Sequence, residues 1–112
     1  MSVESRINIS KSNAQNKNVV RPGHQKAEVG DTIVWCNYTD QDVMTIQFRG
    51  GSPFPFFPPN GIGVTQDHCS LPYRIRNGAG TGSGTLTTYT YTVTLADGSN
   101  AEADSDPTIV VP

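Results

Sequence analysis

The amino-acid sequence predicts an all-β fold: a Greek-key β-sandwich of seven or eight short strands, forming one domain over residues 1–112. Three observations predict it. Apolar residues come in short clusters with the two-residue period of a strand. Turn-forming residues separate those clusters, and 11 glycines and 8 prolines leave little room for long helices. A chain of 112 residues suits one core, because two would each bury too little surface to stand alone.

The elements follow in order. Ile7 and Ile9 share a face of a first strand, and the polar stretch from Lys11 to Lys17 is a connection. Val19-Val20 leads into the turn Arg21-Pro22-Gly23, and Ala27 and Val29 then alternate with Lys26 and Glu28. Thr32 to Tyr38 is the strongest strand. Ile33 and Trp35 face one way and Val34, Cys36 and Tyr38 the other, as in a central strand covered on both sides. Met44, Ile46 and Phe48 alternate with Thr45 and Gln47 as a half-buried strand. Residues 49–61 carry four prolines among Phe54, Phe56 and Phe57, which makes an extended loop. Ile62 and Val64 form a short strand, and Leu71, Tyr73 and Ile75 another alternating stretch. Gly78 to Gly84 is a loop. Tyr89, Tyr91, Val93 and Leu95 then line one face of a long strand whose other face is threonine. Asp97-Gly98 turns the chain, and the last strand, begun at Asp106-Pro107, sets Ile109 and Val111 against Thr108 and Val110.

Composition excludes several function classes. The net charge is −2 with both signs dispersed, so there is no basic face for nucleic acid. No run of apolar residues is long enough for a membrane span. Met1 to Arg6 lacks the apolar stretch of a signal sequence, which favours a cytoplasmic protein unless an export signal was removed. Cys36 and Cys69 are the only cysteines, and the sequence leaves open whether they form a disulfide or stay reduced. Two glycosylation sequons, at Asn8 and Asn37, have no export signal to support them.

Two segments resemble the cupredoxin family. Val29-Gly30-Asp31-Thr32-Ile33-Val34-Trp35-Cys36-Asn37 is similar to its Gly-Asp turn, apolar strand and terminal Asn. Tyr89-Thr90-Tyr91-Thr92-Val93, with the closing Pro107-Thr108-Ile109-Val110-Val111, resembles its Tyr-x-Tyr-x-Cys strand and last strand. The resemblance covers mainly residues 27–48 and 85–112, and implies a cupredoxin-like sandwich. It also implies where blue-copper ligands would fall. The first His falls at Val43 or Met44, the Cys at Val93, and residues 96–104 hold neither His nor Met. The resemblance therefore carries the scaffold without the copper site, and no cofactor is expected.

Other sites have weaker sequence support. His24, His68 and Cys69 are the candidate ligands of a relocated metal site, although one His-Cys pair and a distant His make a poor set. Asp97, Glu102, Asp104 and Asp106 could gather around Ca²⁺ but lack EF-hand spacing. Ser70 beside His68 makes no triad, so no catalytic residue is assigned and the protein is read as a non-enzyme. Phe54, Phe56 and Phe57, with Arg49, are the candidate interaction residues, either folded onto the sandwich or exposed as an aromatic anchor. The leading expectation is a protein-interaction or self-assembly module. A second reading is a carbohydrate binder using Trp35, Tyr38, Tyr73, Tyr89 and Tyr91 as stacking faces, and a third is the relocated metal site.

Overall fold

The computed structural model describes residues 3–14, 16–103 and 106–112. These form ten strands and no helix: β1 (Glu4–Ser12), β2 (Lys17–Arg21), β3 (His24–Lys26), β4 (Thr32–Tyr38), β5 (Val43–Phe48), β6 (Ile62–Val64), β7 (Tyr73–Arg74), β8 (Thr87–Leu95), β9 (Asn100–Ala101) and β10 (Thr108–Val111). One sheet has the order β2-β1-β4-β7. The other runs β3-β10-β8-β5-β6, with β9 also paired to β8. Pro22 and Gly23 carry the chain from the first sheet into the second, at the turn expected from the sequence. The architecture is a cupredoxin-like β-sandwich.

Alternation builds the core. In the first sheet β1 runs antiparallel to β2, setting Ile9 against Val20, and parallel to β4, setting Ile7 against Trp35. In the second, β8 is antiparallel to β5, with Ile46 beside Val93, and to β10, with Ile109 beside Tyr89. These inward side chains are buried, Tyr89 partly so. The threonines of β8 are more exposed than Tyr91, Val93 and Leu95, as period-two patterning requires. β4 is buried on both faces, and only Tyr38 at its end is exposed. Part of the cover for its second face is covalent: Cys36 is bonded to Cys69.

The structure departs from the sequence expectation in three places. On β5 the register against β8 shifts between Val43 and Thr45, so Val43 and Ile46 enter the core while Met44 is 59% exposed. A bulge adds one residue and inverts the alternation that placed Met44 inside. Pro72 interrupts the Leu71–Ile75 stretch; only Tyr73 and Arg74 pair with β4, and Leu71 lies exposed. The strand number exceeds eight because several strands have two or three residues, too few for a period to show.

The β4–β5 end of the sandwich is held by Asn37. Its side-chain nitrogen donates to the carbonyls of Gln41 (2.9 Å) and Val64 (3.0 Å). Its oxygen accepts from the Thr39 backbone N–H (3.0 Å) and hydroxyl (2.7 Å). Full burial with every group satisfied makes Asn37 a structural residue and an inaccessible glycosylation acceptor.

Candidate functional site

The loop between β5 and β6 is pinned along its length. The Phe54 N–H donates to Ser52 Oγ (3.3 Å) and the Arg76 N–H to the Pro53 carbonyl (2.8 Å). Farther on, Gln47 Nε2 donates to the Pro59 carbonyl (3.0 Å) and the Gly61 N–H to that of Pro58 (2.9 Å). Gly61 has φ +84°, and a Cβ there would collide with the carbonyl oxygen of Ile46. Only glycine suits both the conformation and the close approach.

Side chains anchor the loop as well. Phe54 is 4% exposed and lies against Tyr73 (5.5 Å), Phe48 (5.8 Å) and Trp35 (5.9 Å). Phe57 is half-buried against Phe48 (5.1 Å) and Tyr73 (5.2 Å). With Tyr91, which meets Trp35 edge-on at 5.6 Å, these rings form one aromatic cluster. Each such pair contributes about 0.5–1.5 kcal/mol beyond the area buried. Phe56, between the two anchors, is 92% exposed and flanked by exposed Pro55, Pro58 and Pro59. The candidate quartet therefore splits. Phe54 belongs to the core, Phe57 packs half-buried against it, Phe56 projects, and Arg49 pairs with Asp106 at 2.6 Å on the surface. An exposed pair of this kind contributes about 0–1 kcal/mol.

The metal candidates do not converge. His24 lies on β3, its Nδ1 2.7 Å from Thr108 Oγ1, while His68 sits beside β4 in the other sheet with its Nδ1 2.9 Å from the Gln66 carbonyl. Cys69 is in the disulfide and has no thiolate to offer. Among the described residues no three His, Cys, Asp or Glu side chains gather where they could hold a metal ion. Of the calcium candidates, Asp104 lies outside the described residues and Asp106 is engaged with Arg49. Asp97 caps its own turn: Oδ1 accepts from the Ser99 hydroxyl (2.6 Å) and N–H (2.9 Å). Those bonds from Ser99, joined by Gln41, hold the Asp97 carboxyl below its usual range.

The positions implied for copper ligands do not fit that metal. Val43 and Val93 are hydrocarbon packed in the core, and Val43 faces Leu95 across the sheet. Met44 turns outward at the bulge. The side chains at these positions supply neither the thiolate nor the imidazole that a blue-copper centre needs.

The remaining candidates divide between structural and exposed positions. Ser70 Oγ accepts from the Trp35 N–H (3.0 Å) and donates to the Leu71 carbonyl (2.8 Å). Of the proposed stacking rings, Trp35 and Tyr91 are fully buried, Tyr73 and Tyr89 partly so, and Tyr38 is 51% exposed. Folding of the Phe segment onto the sandwich is one of the two readings the sequence allows, but the sequence does not identify Trp35, Phe48 and Tyr73 as the partners. The split between inward and outward rings is set by contacts with Trp35 and Tyr73, which are distant in sequence.

Among solved structures the chain is similar to one described as a novel purple cupredoxin from Nitrosopumilus maritimus. The match has a TM-score of 0.59 at 14% sequence identity and covers 96% of this chain and 99% of the other. No family model and no curated protein matches the sequence.

Proposed function

We propose that this sandwich is a non-catalytic protein-interaction module that self-associates through the loop carrying Phe56. The observation that supports it is a phenyl ring held 92% exposed between two anchored neighbours. A mobile loop could fold such a ring away at little cost. Here Phe54 and Phe57 occupy the inward positions, and the prolines restrict the backbone that would have to rearrange. Burying one phenyl ring at an interface yields about 1.5–3 kcal/mol, and a loop already in its bound shape loses little of that to ordering. The donor set at the implied copper positions gives no support to electron transfer, and the burial of Trp35 and Tyr91 weakens the carbohydrate reading. The Cys36–Cys69 disulfide favours a compartment that oxidises thiols over the cytoplasm.

Replacing Phe56 alone by Ser tests the reading. Association measured by sedimentation velocity over a concentration series should weaken about tenfold or more, with thermal stability unchanged. Equal association by both proteins would remove the loop from the account.

A further inference from the structure

The Cys36–Cys69 disulfide is asymmetric. Cys36 is fully buried in β4, whereas Cys69 is exposed on the segment that joins β6 to β7. Hydrogen bonds flank it on both sides. The Asn37 N–H donates to the His68 carbonyl (2.9 Å) and the Asp67 N–H to that of Asn37 (3.0 Å). Beyond the crosslink the Ser70 N–H donates to the Trp35 carbonyl (2.7 Å) and the Trp35 N–H to Ser70 Oγ (3.0 Å). Residues 65–69 are all exposed, as is Leu71, so this stretch contributes no apolar anchor to the core. Apart from the disulfide, it is held by those hydrogen bonds to β4 and by the Gln66 N–H, which donates to Asp42 Oδ1 (2.9 Å). Such segments open locally at low cost.

We propose that Cys36–Cys69 is a thiol-exchange site that gates the outer edge of β4, with Cys69 as the sulfur attacked. The thiolate of a small dithiol attacks Cys69 Sγ; a new S–S bond forms, the Cys36–Cys69 bond breaks, and the electron pair leaves on Cys36 Sγ. The second thiol of the reagent then attacks its own sulfur in the mixed disulfide. That expels the Cys69 thiolate and releases a cyclic disulfide. Two electrons pass to the protein, its two sulfurs take up two protons, and the dithiol is oxidised. Cys36 Sγ is fully buried and out of reach of water, so the first step proceeds only as residues 65–71 lift and admit a proton from water. Lifting leaves the backbone groups of Trp35 and Asn37 as an unpaired strand edge.

The test treats the folded protein with dithiothreitol and traps thiols with N-ethylmaleimide, reading each cysteine by peptide mass spectrometry and each amide by hydrogen exchange. Cys69 should be labelled about tenfold faster than Cys36. Exchange should rise at Trp35, Asn37 and Ser70 while Ile7 and Val93 stay protected. Equal labelling of both cysteines with exchange rising through the whole core would overturn the proposal, as would resistance to reduction until the protein unfolds. Cys69→Ser checks it without reductant: the same local rise in exchange is expected, and unchanged protection at Trp35 and Asn37 would contradict it. None of these outcomes depends on Phe56, so the gate and the docking loop stand or fall separately.

Discussion

Phe54 and Phe56 lie two residues apart and meet opposite environments: Phe54 is 4% exposed with its ring edge-on to Trp35, and Phe56 is 92% exposed. Proline on either side of Phe54 and before Phe56 restricts the backbone that separates them. Phe54→Ala should cost about 3–5 kcal/mol, the usual penalty for emptying a phenylalanine site in a core. Phe56→Ser should lie within about 0.5 kcal/mol of the parent. Urea unfolding of the two variants separates these roles.

The disulfide closes a loop between residues 33 apart in sequence. Replacing both cysteines by Ala should lower stability by about 3–4 kcal/mol on the chain-entropy account. The midpoint of denaturant unfolding should fall, while the chain keeps its strand signature in circular dichroism.

Tyr91 is buried at the centre of the aromatic cluster, and its hydroxyl makes no hydrogen bond of good geometry among the described residues, only a weak interaction with Trp35. Burial pushes its phenol well above the ordinary value. A raised folded-state pKa means that the unfolded chain loses its proton first. The stability Tyr91 contributes is complete below about pH 10 and declines above it. Tyr91→Phe should be neutral or stabilising at pH 7, because it removes a buried hydroxyl that is poorly satisfied. It should also flatten the loss of stability between about pH 10 and 11. Guanidinium midpoints across that range check both effects.

Gly61 combines a positive φ with close approach to the Ile46 carbonyl. Gly61→Ala should destabilise by more than about 1 kcal/mol, since strain and collision act together. Thermal unfolding measures it, and a neutral result would mean that the loop re-forms with a different entry into β6.

Much of the fold was legible in the sequence, for identifiable reasons. β1, β4, β8 and β10 are long enough for a period of two to show, and Ile7, Trp35, Tyr91 and Ile109 fall on the buried faces that period assigns. Met44 was misplaced because a bulge leaves no mark in a local pattern. β9 was missed because two residues carry no period. The Phe segment was legible as a loop, but its division into anchors and a projecting ring depends on contacts with Trp35 and Tyr73, both distant in sequence. The pairing of Cys36 with Cys69 is likewise a product of the turn that lays residues 67–70 along β4.

The most direct test of the central claim is sedimentation velocity of the untagged protein and its Phe56→Ser variant over the same concentration series. The account predicts concentration-dependent association in the parent and its loss in the variant, with identical unfolding midpoints. A parent that stays monomeric at every concentration, or a variant that associates equally well, would contradict it.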